Sequence, residues 1–174
     1  TAYEISACLV GSEMCIRDRI AAYVAEDESY DCIITTQDWH IDPGVHFSDQ
    51  PNYQDTWPAH GVAGTDEADL HPELSEISDK INYSVKKGMF EAAYSGFEGH
   101  NGEQSLQQIL ERESVAAVDI VGLAFDHCVK ATAIDSAQNG FNTRVLSKLT
   151  AAVSPANESI VSDEMRSHGV EVIK

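Results

Sequence analysis

The sequence contains few basic residues: 11 Lys and Arg stand against 29 Asp and Glu, which gives a formal net charge of -18 at pH 7. A surface of this sign repels the phosphates of nucleic acids and anionic membranes, so we expect neither as a partner. Long apolar runs are also absent, since no stretch approaches the roughly 20 residues of a membrane-spanning helix. The first ten residues lack the basic and apolar segments of a secretory signal.

Cysteine is scarce as well, and the four cysteines form no C-x-x-C pair: Cys8, Cys15, Cys32 and Cys128. A chain of this size with so few cysteines is typical of a reducing compartment, so we expect a cytoplasmic protein without disulfides. Its 174 residues suffice for one domain with a hydrophobic core and are too few for two.

Helical and strand patterns alternate along the chain. Apolar spacing predicts helices over 19–26, 105–112, 126–138 and 155–168. β-Branched and apolar runs predict strands over 31–36, 84–86, 117–123, 143–149 and 170–173. Such alternation predicts an α/β fold, a Rossmann-like parallel sheet flanked by helices.

Candidate metal ligands cluster in the long segment 40–80, which is rich in Pro, Gly, Asp and His. Asp38 and His40 lie two residues apart directly after a predicted strand, so their side chains project to one side if the strand continues. His46 follows a Pro-Gly turn that can fold the chain back, and His60 comes later in the same segment. Three imidazoles and a carboxylate suit one divalent transition metal: zinc, iron or manganese.

Cys128 lies where the predicted strand 117–123 gives way to a helix. There the free N–H groups of the first helical turn would lower the thiol pKa and hold an oxyanion. Lys87 follows the predicted strand 84–86 and can stabilise a thiolate. Trp57 and Tyr94 can form the wall of an aromatic pocket. The alternatives are a buried structural cysteine, a solvated lysine and ordinary aromatic packing.

Four segments carry a resemblance to a known family: DWHIDPGVHFS, WPAHGVAGT, KGMFEAAYSGFEG and GLAFDHCVKATAIDSAQNG. In order and spacing they resemble the nicotinamidase/pyrazinamidase family of isochorismatase-like cysteine hydrolases. The resemblance implies a parallel sheet of about six strands. It also implies hydrolysis of nicotinamide, a small-molecule amide, to nicotinate and ammonia in NAD salvage.

The resemblance further implies roles for particular residues. It assigns metal ligation to Asp38, His40, His46 and His60, catalysis to Lys87 and Cys128, the oxyanion hole to the N–H groups of Ala124 and Cys128, and the pyridine pocket to Trp57 and Tyr94. In the implied mechanism the thiolate attacks the amide carbon, ammonia leaves, and water hydrolyses the thioester. The metal would bind the pyridine nitrogen and orient the ring.

The chain departs from the family at its first strand. Relatives carry a catalytic aspartate there in a D-x-Q motif, and this chain has none. The string ISACLVGSEMCIRD instead resembles the translated adapter read-through found at the ends of some assembled reading frames. We therefore expect residues 1–18 to be a non-native segment and 19–174 to be the hydrolase domain, with catalysis impaired by the loss of the aspartate.

Other functions stay open from the sequence. One is a related cysteine hydrolase that cleaves a carbamoyl, ureido or vinyl-ether substrate. Another is a hydrolase that uses a metal-bound hydroxide, with Cys128 purely structural. A third is a non-catalytic or truncated metal-binding protein. The choice of metal, and whether the protein is a monomer or a homo-oligomer, also stay open.

Overall fold

The computed structural model describes residues 16–174 and contains the alternating helices and strands expected of an α/β protein. The helices are α1 (Ile16–Glu26), α2 (Leu106–Arg112), α3 (Lys130–Gln138) and α4 (Glu158–Ser167). The strands are β1 (Ile34–Asp38), β2 (Tyr83–Lys87), β3 (His100–Asn101), β4 (Gln104–Ser105), β5 (Ala117–Leu123), β6 (Asn142–Ala151) and β7 (Glu171–Ile173). No helix within residues 16–174 has the length and apolar character needed to cross a membrane.

The strands form two hydrogen-bonded sheets. In the first, β1 and β2 are parallel, with Asp38 opposite Lys87, and the short antiparallel β3–β4 hairpin extends the sheet beyond β2. In the second, β5, β6 and β7 are parallel and follow chain order. The expected α/β architecture of parallel strands flanked by helices is confirmed.

Helix α1 packs over the second sheet with one apolar face. Ile16, Ile20 and Val24 lie four residues apart, so they share that face, and all three are buried. They pack against Val121 and Leu123 of β5. The helix begins three residues before its predicted start.

The other helices bury the remaining sheet faces. Ile109 of α2 packs in one cluster with Val85 of β2. Ala133 of α3 and Met165 of α4 are fully buried in a second cluster with Val145 of β6. Together these clusters hold the carboxyl ends of the parallel strands at one edge of the molecule.

A groove separates the two sheets. Within residues 16–174 no ladder of hydrogen bonds joins β1 to β5, and a cavity of about 200 Å³ lies between them. Ile34 and Thr36 line it from β1, and Val118 and Ile120 line it from β5. Thr36 is exposed although it lies in the middle of a strand. We expect the groove to correspond to a strand position, because β1 and β5 are each paired on one side only within residues 16–174.

Part of the predicted non-native segment can be placed. Residues 1–15 lie outside the described residues, whereas 16–18 form the first turn of α1, and Ile16 is buried in the core. The expectation that the beginning of the chain is non-native therefore stays a prediction.

Two predicted helices have irregular beginnings. The predicted helix 126–138 starts as a single π turn, Phe125–Val129, in which the N–H of Val129 bonds to the carbonyl of Ala124 at 3.1 Å, and α3 follows. The predicted helix 155–168 starts as the 3₁₀ turn Pro155–Asn157.

Candidate functional site

The carboxyl ends of three parallel strands bring the predicted site residues together. Asp38 ends β1, Lys87 ends β2, and Cys128 follows the end of β5. The β1–β2 pairing continues beyond the strands, because the N–H of Trp39 bonds to the Lys87 carbonyl at 2.9 Å. The carboxyl edge of an α/β sheet is where such folds bind ligands.

Three histidines from the segment that follows β1 form a compact cluster. His40 and His46 are buried, and His60 is partly buried. One ring nitrogen of each histidine lies within 4.8 Å of a ring nitrogen of each of the other two. The ring centroids are 4.9 to 5.4 Å apart. This spacing is compatible with three imidazoles binding a single ion.

Backbone carbonyls orient the three rings. The bonds run from Nδ1 of His40 to Gly88 O at 2.6 Å, from Nδ1 of His46 to Asp55 O at 3.2 Å, and from Nδ1 of His60 to Pro58 O at 2.8 Å. Nε2 is therefore the candidate ligand atom in each ring. In His40 this atom is buried and has no hydrogen-bond partner in the described part of the chain. An orphaned imidazole nitrogen facing two further imidazoles fits a bound Zn²⁺, Fe²⁺ or Mn²⁺.

Burial also favours the neutral form of His40 and His46, which metal binding requires. It lowers the pKa of His40 and of His46 below the ordinary value for histidine, against the raising effect of their carbonyl bonds. Both rings are therefore neutral near pH 7, as metal ligation requires.

Asp38 lies beside the histidine cluster, but its carboxylate is hydrogen-bonded to Lys87. Its Oδ1 accepts a hydrogen bond from Nζ of Lys87 at 2.5 Å. Burial raises the pKa of Asp38, but the ammonium of Lys87 and the neighbouring groups lower it by more, so the carboxyl is ionised. Its role as a metal ligand stays a prediction.

Lys87 connects the carboxylate to the thiol. Its side chain is 3% exposed, and Nζ also donates to the carbonyl of Ala93 at 2.7 Å and to Sγ of Cys128 at 3.6 Å. Burial lowers the pKa of Lys87, but Cys128 and Asp38 raise it by more, so the amine stays charged. The adjacent Lys86 points away and lies over the Trp39 ring.

Cys128 is less acidic than the sequence suggested. Burial raises the pKa of its thiol above the ordinary value, and the lowering effects of Lys87 and of the Ala124 backbone do not compensate. The expectation of a lowered thiol pKa is therefore wrong for this structure. The physical reason is that desolvation, together with the negative charge of Asp38, outweighs the charge of one ammonium.

An aromatic wall flanks the thiol and the histidines. Nε1 of Trp57 donates to the hydroxyl of Tyr94 at 3.0 Å. The ring of His127 lies 5.1 Å from that of Trp57 and stacks at 6.1 Å on that of Tyr94. Tyr94 in turn lies 5.9 Å from His46. Sequence reasoning missed His127, although its position next to Cys128 was a signal.

Known proteins resemble this chain in sequence and in overall fold. Residues 15–174 match the Isochorismatase domain family. The chain is 46% identical over 156 residues to the nicotinamidase/pyrazinamidase of Mycobacterium tuberculosis, covering 88% of this chain and 82% of that protein.

Solved structures with a similar fold include two relatives of this kind. The structure of PnC1 from L. infantum in complex with nicotinate has a TM-score of 0.78 and 32% identity, covering 91% of this chain and 79% of that one. The pyrazinamidase of Pyrococcus horikoshii in complex with zinc has a TM-score of 0.75 and 28% identity, covering 91% and 84%. The chain therefore belongs to the isochorismatase domain family, with nicotinamidases among its relatives.

Proposed function

We propose that this protein is a metal-dependent amidohydrolase that converts nicotinamide to nicotinate and ammonia through a thioester on Cys128. One observation carries the proposal: Nζ of Lys87 bonds to both Cys128 and Asp38 beside a cluster of three histidines. The names of the relatives, nicotinamidase and pyrazinamidase, support the choice of a pyridine or pyrazine amide as substrate.

The aromatic wall suits a flat heteroaromatic ring. Trp57, Tyr94 and His127 would pack against the two faces and the edge of the ring. The three histidines, with Asp38 as a further candidate ligand, would hold one divalent ion. Such an ion supplies a Lewis-acid contact for the ring nitrogen of the substrate.

The chemistry begins at the thiol. Sγ of Cys128 loses its proton and bonds to the amide carbon, and the carbonyl oxygen takes a negative charge that the N–H groups of Ala124 and Cys128 stabilise. The C–N bond then breaks, and the nitrogen takes a proton and leaves as ammonia. Water attacks the thioester, the C–S bond breaks, and nicotinate and the free thiol result. The buried ammonium of Lys87 favours the charged sulfur.

The step that lacks the family's proton carrier is the transfer of the proton from Sγ of Cys128 to the amide nitrogen of the substrate. Within residues 16–174 the carboxylate bonded to Lys87 is Asp38, which lies beside the metal cluster. We propose that the chain lacks the family's catalytic aspartate, which would stand at the end of a strand between β1 and β5. Loss of a general acid–base group typically costs 10²–10⁴-fold in rate.

An ammonia-release assay tests this proposal. The chain as given is compared, in the presence of zinc, iron or manganese, with a version whose residues 1–15 are replaced by a strand of the family type that ends in aspartate. We expect the replaced version to release ammonia from nicotinamide at least about 10²-fold faster. Cys128→Ala in that version should abolish release. Absence of ammonia from the replaced version would contradict the nicotinamidase proposal.

A second candidate function is metal binding without catalysis. The same observation favours it, because the carboxylate that bonds to Lys87 within residues 16–174 is Asp38, which lies beside the histidine cluster and not on the thiol. Zinc binding by the chain as given, with no ammonia release from it or from the replaced version, would support this second function.

A further inference from the structure

Asp126 is a buried carboxylate that the proposed chemistry does not use. It lies in the π turn Phe125–Val129, two residues before Cys128, and is 8% exposed. Its Oδ1 accepts the N–H of Val153, and its Oδ2 accepts the N–H of Ser154, each at 2.9 Å. It forms no ion pair with another side chain of residues 16–174.

These two bonds connect the ends of neighbouring strands. Val153 and Ser154 follow β6 after one intervening residue, Ala152, and β6 pairs with β5 up to Leu123 and Ala151. Asp126 therefore ties the turn that follows β5 to the segment that follows β6. Apolar packing also holds these two segments together, because Phe125 of the π turn lies in one buried cluster with Ala152, the residue after β6.

The geometry calls for a carboxylate and not for an amide. Two adjacent N–H groups point at two separate oxygens, and both bonds are charge-assisted. The side-chain amide of asparagine has the same size but only one acceptor oxygen. Its NH₂ group would face a backbone N–H, which would leave a buried donor unsatisfied and push the two segments apart.

We propose that Asp126 is a positioning residue for the nucleophile. By holding the π turn against the end of β6, it keeps Sγ of Cys128 at 3.6 Å from Nζ of Lys87. It also keeps the ring of His127 against Trp57. The thiol–lysine part of this inference is independent of the proposed function, whereas its kinetic consequence rests on it.

The test measures how strongly Lys87 acts on Cys128 with and without the carboxylate. Alkylation of Cys128 by iodoacetamide at pH 8 is followed by peptide mass spectrometry in a double-mutant cycle of Lys87→Gln and Asp126→Asn. Loss of the ammonium should slow alkylation about tenfold when Asp126 is present, which corresponds to one pKa unit. With Asp126→Asn in place, we expect Lys87→Gln to change the rate less than about twofold.

Val161→Ala is the matched control. Val161 belongs to the same buried cluster as Phe125, so its truncation loosens the packing but leaves both bonds of Asp126 intact. The control should keep the tenfold effect of Lys87→Gln. Retention of that effect in Asp126→Asn, or its equal loss in Val161→Ala, would overturn the proposal.

Two further measurements complete the design. Should Asp126→Asn not fold, Asp126→Glu replaces it: the extra methylene displaces the turn while keeping both oxygens, and the effect of Lys87→Gln should fall to about threefold. An undiminished tenfold effect would again overturn the proposal.

The second measurement uses the version whose residues 1–15 are replaced by a family-type strand. In that version, Asp126→Asn should lower kcat about 10²-fold with KM changed little, as expected for a misplaced reacting group. If the thiol coupling is lost but no variant hydrolyses nicotinamide, the proposed function fails and the positioning role stands.

Discussion

At the scale of single residues, the reactivity of Cys128 depends on two opposing effects. Burial favours the neutral thiol, and the ammonium of Lys87 at 3.6 Å favours the thiolate. Burial is the larger effect, so the thiol pKa lies above its ordinary value. The lysine is nevertheless charged throughout the neutral range, because Cys128 and Asp38 raise its own pKa.

The pH dependence of thiol alkylation follows from this balance. Because the thiol pKa is raised above its ordinary value, the ionised fraction of Cys128 is small and still growing between pH 7 and pH 8. The alkylation rate of Cys128 in the metal-free chain should therefore rise about tenfold per pH unit over this range, without a plateau. Stopped alkylation followed by mass spectrometry measures the rate at each pH.

Cys32 provides an internal control for this experiment. Burial raises the pKa of its thiol as well, and its charged neighbours are Glu113, Arg112 and Asp31. Lys87→Gln should leave the alkylation of Cys32 unchanged while slowing that of Cys128. A plateau of the Cys128 rate at or below pH 7 would contradict the raised thiol pKa.

At the scale of elements, the ends of β1 and β2 hold the first histidine of the cluster. Gly88 directly follows β2, and its carbonyl accepts the Nδ1 bond of His40. A Cβ atom on Gly88 would lie 2.5 Å from Cε1 and 2.8 Å from Nδ1 of that ring, and its φ is +72°. Both the close approach and the backbone conformation require glycine at this position.

Substitution of Gly88 should therefore weaken the metal site. Gly88→Ala would displace the His40 ring, and we expect zinc affinity to fall 10–100-fold, the range typical for loss of a ligand-orienting group. Competition with a chelating dye measures this affinity. Gly102→Ala is the matched control, because Gly102 also has a positive φ, +60°, but a Cβ atom there would meet nothing within 4 Å. Equal losses in the two variants would show that backbone strain, not the contact with His40, weakens binding.

Regular elements could be predicted where the sequence carries a strong apolar pattern. β5 has its predicted bounds because AVDIVGL is a near-continuous apolar run, although Ile120 is its one buried residue. The β3–β4 hairpin was missed, since strands of two residues are too short to show a pattern. The π turn was also missed, because one extra residue in a turn barely alters the apolar spacing of a helix.

The site could be predicted from residue types but not from register. Spacing identified His40, His46 and His60, and the structure brings these three together. The bond between Asp38 and Lys87 arises from the parallel pairing of β1 with β2, which places the two residues opposite each other. Sequence spacing carries no information about that register, since the residues are 49 positions apart.

At the scale of the whole molecule, side chains and not a ladder of backbone hydrogen bonds hold the two sheets together within residues 16–174. α1 packs its buried face against Val121 and Leu123 of β5 and also contacts Ile33, next to β1. Val118 of β5 joins the cluster that covers the first sheet. Between these contacts the facing edges of β1 and β5 border the groove. Unpaired edges leave backbone groups accessible to water and forgo part of the stability of a continuous sheet.

Filling the groove should therefore stabilise the molecule as a whole. A strand inserted between β1 and β5 would hydrogen-bond on both edges, and each such bond contributes about 1 kcal/mol net. We expect the version with a family-type strand in place of residues 1–15 to gain several kcal/mol in free energy of unfolding. Urea denaturation measures this gain, and hydrogen exchange should show slower exchange of amides in β1 and β5. As a control, a polar Gly-Ser segment of the same length should give neither effect. An unchanged free energy of unfolding with the family-type strand would mean that the groove is not a strand position, because no inserted strand could then be pairing with both edges.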